Sequence, residues 1–285
     1  MITAQWDGLP NRYLNAYGVE PPSLLEATKY LNSLHNAVWE RSSRIEGVPL
    51  EEQNEIEKSH QLSIRRARLG VEILKRPSDD QTKFDLFQRL NAGGTQANAQ
   101  ELRNCIIIMV NKQYFEAIRQ SAEDPVFRRV ITVTEDQLER QRHMEYAVRF
   151  LVHTLVKYDG KLDVEEYIDE GIVSLATSGN ATGASSLIKQ TFALLDEVAG
   201  SNALRRIENG NHIGKVGLVG LEGIAVGVAR NLERILKLRS PAAYIKRKIK
   251  GFWSNPATES FTSLGLRGTT RIQRTVPFGE AWFKP

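Results

Sequence analysis

The chain has 285 residues, 41% hydrophobic and 25% charged, which supports one large or two ordinary globular domains and excludes a disordered or fibrous protein. A single cysteine, Cys105, excludes an intramolecular disulfide framework and fits a reducing cytoplasm. No apolar run reaches the roughly 18 residues of a membrane span, and the first residues lack basic and apolar signal regions, so a cytoplasmic protein without a membrane partner is expected. The net charge of +4 is unevenly spread. From Arg230 to Pro285 twelve Lys and Arg stand against three Glu, a balance of +9, which leaves −5 for the residues before them.

In chain order, Met1 to Pro22 reads as loop. Ser23-Leu-Leu-Glu26 is a capping-box pattern that predicts a short helix to about Leu34. A polar helix is expected from about Leu50 to His60. Within Gln61–Arg76, Leu69, Val71 and Ile73 alternate as in a strand that Pro77 ends. A helix carrying Phe84, Phe87 and Leu90 is broken by Asn91-Ala-Gly-Gly94. Asn98-Ala-Gln-Glu101 is a second capping-box pattern, predicting a helix to about Gln120. Further helices are expected at about Glu135–Lys157, Asp163–Ala176, Ala184–Val198 and Gly217–Leu238, with Ser240-Pro241 opening another. Thr270–Pro277 reads as extended. The predicted class is mainly α, multi-helical, with a small β contribution near the start.

Phe84–Asn104 concentrates the polar chemistry. Paired glycines let backbone approach a ligand or adopt positive φ. A helix opening near Ala99 offers free N–H groups and a positive dipole end to an anion. Arg89 and Arg103 supply planar guanidinium forks for phosphate oxygens. Capped helix corners are nevertheless far commoner than phosphate sites, and Glu101 is also placed to cap Asn98 in return.

The string FxRLNxGGxxxxxQELRN, found within these residues, resembles the signature of the GmrSD-type, ParB-like restriction proteins. Leu69-Gly-Val-Glu-Ile-Leu, Met144-Glu-Tyr-Ala-Val-Arg-Phe-Leu and Thr270-Arg-Ile-Gln-Arg also resemble stretches of that family. The resemblance implies nucleotide-hydrolysis-linked cleavage of DNA in defence against phage, with a nucleoside triphosphate and Mg²⁺ as cofactors. It also implies residues 1–104 as the remainder of a ParB-like domain and 105–285 as a helical domain. It makes Arg89, Asn91, Gly93, Gly94, Glu101, Arg103 and Asn104 the nucleotide or phosphate candidates. For Glu101, Arg103 and Asn104, bracing of two helices is an equal alternative.

The sequence departs from that family at its N-terminal Asp-Gly-Gln-Gln-Arg motif. Asp7-Gly8 here is followed by Leu-Pro-Asn-Arg12, and Ala97 stands where the family usually has leucine. The expectation is therefore a truncated or degenerate relative that is DNA-associated and not autonomously catalytic. The alternatives are an endonuclease subunit completed by an upstream-encoded partner chain and a non-enzymatic helical adaptor.

Other signals weigh less. Gly210–Lys215 is one residue short of a phosphate loop and has Val216 where Ser or Thr should bind magnesium. Gly214, Gly217, Gly220 and Gly223 predict a small-residue stripe for close helix packing. No two of the five histidines have metal-ligand spacing. Lys237–Lys250 carries six positive residues and no acid, with Tyr244 inside it and Phe252 and Trp253 just beyond. Lys246, Arg247, Lys248, Lys250, Arg271 and Arg274 are the DNA-backbone candidates, and an amphipathic surface helix for a protein partner is an equal alternative for this basic segment.

Overall fold

The computed structural model describes residues 37–43, 45, 49–66, 98–263 and 265–285. The chain divides into two units, Met1–Ile73 and Leu74–Pro285. It is mainly α and multi-helical, as the sequence predicts.

In the first unit, β1 (Ala37–Val38) pairs in parallel with β2 (Asn54–Glu55), and α1 spans Lys58–Arg66. The Gln53 side chain ties the two segments. Its Oε1 accepts from the Ser42 N–H at 3.0 Å and its Nε2 donates to the Ser42 carbonyl at 3.0 Å. Gln61 donates to the Trp39 carbonyl at 2.6 Å, and the Arg65 guanidinium lies 5.5 Å from the Trp39 ring centre. The polar helix expected at Leu50–His60 is instead a 3₁₀ turn at Leu50–Glu52, then β2, then α1. The alternating strand at Leu69–Ile73 and the helix at Ser23–Leu34 lie outside the described residues.

In the second unit the described residues open with α2 (Ala99–Val110), α3 (Lys112–Glu123) and α4 (Pro125–Val130). The Asn98 capping box forms as predicted: its Oδ1 accepts from the N–H groups of Gln100 and Glu101, and Glu101 accepts the Asn98 N–H at 2.8 Å. This helix stops at Asn111, not near Gln120. The Asn111 N–H closes α2 on the Ile107 carbonyl, its Oδ1 opens α3 by accepting from Tyr114 N–H, and its Nδ2 donates to Ala176 O at 3.1 Å. One residue thus ends a helix, starts the next and anchors both to a third. The domain boundary expected between Asn104 and Cys105 falls inside α2.

The helix predicted over Glu135–Lys157 is two: α5 (Glu135–Glu139) and α6 (Arg142–Leu155), separated at Gln141 with φ of 59°. Next come α7 (Val164–Ser178) and α8 (Ala181–Ala199), joined at Gly179, whose φ of 73° suits a glycine cap. Every residue of Tyr146–His153 in α6 is buried, so this helix is the axis of the core. Phe192 of α8 packs against Phe127 and Phe150, with ring centres 4.4 and 5.2 Å away.

An antiparallel hairpin follows, β3 (Arg206–Glu208) and β4 (Asn211–Ile213), turning through Asn209-Gly210 with φ of 50° and 79°. Positive φ at both turn residues is what a two-residue hairpin requires. Gly210–Lys215, the near miss to a phosphate loop, is therefore part of this hairpin and the turn after it. Then come a π-helical turn (Gly220–Ala225), α9 (Val226–Arg230), α10 (Leu232–Leu236), α11 (Pro241–Trp253), α12 (Glu259–Thr262) and α13 (Gly268–Trp282).

The glycine stripe is half realised. A Cβ on Gly220 would sit 2.1 Å from the Leu204 carbonyl oxygen and one on Gly223 would sit 2.4 Å from the Phe252 ring, whereas Gly214 and Gly217 face open space. Gly279 of α13 approaches the Gly223 carbonyl so closely that its own Cβ would lie 2.1 Å away. Thr270–Pro277, expected to be extended, is inside α13. Its β-branched residues point inward, with Ile272, Thr275 and Val276 buried, and packing against the 220–230 segment overrides their strand preference.

Candidate functional site

The cations divide into a buried set and an exposed set. Arg103 belongs to the first. It is 1% exposed on α2, and its Nε and Nη2 donate to Asp169 and Glu165 of α7. Glu165 also accepts from Arg149 of α6 at 2.6 Å, and Arg149 donates at 2.7 Å to Glu145 one turn earlier. Three helices are cross-linked through this chain of charges. Burial opposes ionisation of Glu165, yet the guanidiniums of Arg149 and Arg103 hold its carboxyl below the usual range. Burial dominates at Asp169 and pushes its carboxyl up, against the pull of Arg103.

The remaining matched residues of α2 are also engaged internally. Glu101 serves the Asn98 cap, and Asn104 accepts from Gln100 Nε2 at 2.8 Å. Arg89, Asn91, Gly93 and Gly94 lie outside the described residues, as does Asp7-Gly8. Among the described residues, no three His, Cys, Asp or Glu side chains are grouped to hold a metal ion, and no helix is long and apolar enough to cross a membrane.

The exposed set is carried by α11. Ile245, Ile249 and Phe252 are buried on one face, and Lys246, Arg247 and Lys250 are exposed on the other. This follows from the 3.6-residue period: positions 245, 249 and 252 share a stripe, and 246, 247 and 250 share the opposite one. No acid lies on the helix, and no ion pair engages these three cations among the described residues. The Arg247 guanidinium rests 5.7 Å from the Tyr244 ring centre. Lys237 and Arg239, just before the helix, are exposed too, as is Arg274 on α13.

Two of the six DNA-backbone candidates are differently placed. Lys248 donates to the Trp282 carbonyl at 2.6 Å, with its ammonium near the rings of Tyr244 and Trp282, and so fastens α11 to α13. Arg271 donates through Nε (2.9 Å) and Nη2 (2.9 Å) to the two carboxylate oxygens of Glu222, a residue with no exposed surface. Burial pushes the Glu222 carboxyl up, against the pull of Arg271. Arg271 and Arg274 are one helical turn apart; Arg274 is exposed, whereas Arg271 is half-buried and committed to Glu222.

Residue-by-residue reading of the sequence did not find the Glu222 pairing, although one signal was present. An isolated carboxylate in the apolar run VGLVGLEGIAVGVA has to be partnered if the run is buried. His153, which as one of the five histidines is expected to be a satisfied surface or core residue, is fully buried on α6, but neither ring nitrogen is hydrogen-bonded among the described residues. Burial, with the nearby guanidiniums of Arg149, Arg271 and Arg230, pushes its imidazole down to about 3. His143 is likewise pushed down to about 4 by burial and Arg128. Both imidazoles are neutral in the folded protein at pH 7.

No known family, no curated protein and no solved structure matches the chain.

Proposed function

We propose that the protein is a nucleic-acid-backbone-binding member of a phage-defence or restriction system of the GmrSD type, and that it does not hydrolyse nucleotide by itself. The single observation that carries the binding reading is the face of α11, where Lys246, Arg247 and Lys250 are exposed without carboxylate partners among the described residues. Such a face neutralises phosphates and releases counterions whatever the base sequence. Arg274, Lys237 and Arg239 add exposed positive charge in the same part of the chain. The restriction-system context rests on the Phe84–Asn104 resemblance. The absence of catalysis by this chain alone rests on Asp7-Gly8 lacking the Gln-Gln-Arg that should follow it.

The test is fluorescence anisotropy of a labelled random-sequence DNA duplex across a salt series. Binding is expected with little sequence preference. One phosphate contact from each of Lys246, Arg247 and Lys250 contributes about −2.7 to the slope of log K against log salt. No binding at low salt, or binding insensitive to salt, refutes the proposal and favours a protein-binding adaptor. Turnover of nucleoside triphosphate with Mg²⁺ by the isolated chain refutes the non-catalytic part.

A further inference from the structure

A cleft of about 350 Å³ opens between the β3–β4 hairpin, the start of the π-helical turn, the end of α11 and the α12–α13 connection. Three cations line it, Arg206, Lys215 and Arg271, and no carboxylate does among the described residues. Two of them, Arg206 and Lys215, are exposed on the hairpin and just after it. The third is held differently. Nε and Nη2 of Arg271 are fixed on the buried carboxylate of Glu222, which leaves Nη1 outside that pair in a guanidinium of set orientation. A donor whose direction is fixed before a ligand arrives loses little freedom on binding.

The rest of the lining is apolar and aromatic, including Leu218, Phe261 and Trp253. Trp253 has its indole N–H buried without a hydrogen-bond partner among the described residues. The hairpin wall is tied to its surroundings by side-chain hydrogen bonds. Arg205 braces it by donating to the Gly214 carbonyl at 2.8 Å and to Asn202 Oδ1 at 2.9 Å. The π-helical turn supplies the opposite support, because it places Glu222 against Arg271 while Gly220 lets the chain pass against Leu204. Such turns occur mostly as single insertions in helices and often at functional sites. The volume is within the range of small-ligand clefts, and the lining has their composition: mostly apolar, with a few converging polar groups.

We infer that this cleft binds a small amphipathic anion, whose phosphate or carboxylate is held by Arg206, Lys215 and Arg271 and whose flat apolar body packs on Trp253 and Phe261. The cation count excludes a cationic ligand. The aromatic walls disfavour a bare inorganic anion, which would leave them wet. The site is separate from the nucleic-acid reading: it takes a discrete molecule, and its ligand-facing residues include none of Lys246, Arg247 and Lys250.

The probes are 1-naphthyl phosphate, 1-naphthoate, 1-naphthol and inorganic phosphate, each titrated into the full chain by calorimetry. Saturable binding is expected from at least one of the first two, and which of them binds tighter separates a phosphate ligand from a carboxylate one. Naphthol and inorganic phosphate should each bind at least about tenfold more weakly. Arg206→Ala with Lys215→Ala should weaken the tighter anion by about tenfold or more. Both residues are exposed and neither holds an ion pair among the described residues, so an unchanged melting temperature is expected for the double variant. Lys246→Ala should leave binding unchanged. Naphthol binding as tightly as the anions, a double variant that binds like the wild type, or no saturable binding by either anion overturns the inference.

Discussion

The Asn98–Asn104 corner and the outer face of α11 contain similar residues and use them in opposite ways. At the corner, a guanidinium with 1% of its surface exposed is divided between two carboxylates on another helix. On α11, three cations stand in water without an acid on their own helix. A buried charge has to be matched because desolvation is expensive, and Arg103, matched and enclosed, has little left for a ligand. An exposed charge is cheap to keep and remains available to a polyanion. The difference teaches that a cation's function here depends on what it already faces, more than on the motif that contains it.

The sharpest way to break that comparison lies within α13. Arg271→Ala leaves the Glu222 carboxylate buried and unpaired and should destabilise the fold by about 3–5 kcal/mol in urea denaturation at pH 7. Arg274→Ala, one turn away and exposed, should change stability by less than about 0.5 kcal/mol. Equal effects at the two positions would remove the distinction between a cation matched to a buried carboxylate and an exposed one. Next in size, Arg103→Met should destabilise by about 2–3 kcal/mol, less than the fully buried case because its partners Glu165 and Asp169 reach solvent.

Acid provides a third test. His153 is pushed down to about 3 when folded, so between that value and its ordinary pKa the unfolded chain binds a proton that the folded one does not. Stability therefore rises with pH across this window and falls on acidification. From pH 6.5 to 5 the loss assigned to His153 is about 1.6 kcal/mol. His153→Leu should flatten the dependence of the urea midpoint on pH over that range, and an unchanged dependence would show that another group is responsible. The smallest stability effects belong to α11. Lys246→Ala, Arg247→Ala and Lys250→Ala should each shift stability by less than about 0.5 kcal/mol.

How much of this was legible depends on the distance between partners. The Asn98 capping box is local: acceptor and donor lie within one turn, and the sequence shows both. The break at Asn111 is less visible because Ile106-Ile-Ile-Met-Val continues an apolar pattern up to it, and its anchor on Ala176 is 65 residues away. The hairpin could have been read from Asn209-Gly210, a strong two-residue turn signal, but its short strands carry little alternation. In α13 the β-branched residues and Pro277 suggest extended chain, and only the approach of Gly279 to Gly223 shows why a helix is favoured. The partners of Arg103 lie 62 and 66 residues along the chain, so nothing near it reveals a strut. The basic face of α11 was legible because charge and helical period are both local properties.

The most direct test compares the salt dependence of DNA binding in three proteins: the wild type, the Lys246→Ala/Arg247→Ala/Lys250→Ala variant and Arg103→Met. The account predicts that the triple variant flattens the slope of log K against log salt by about 2.7, while Arg103→Met, measured at a temperature where it remains folded, keeps the wild-type slope. A triple variant with the wild-type slope, or an Arg103→Met protein that loses as much slope as the triple variant, would contradict it.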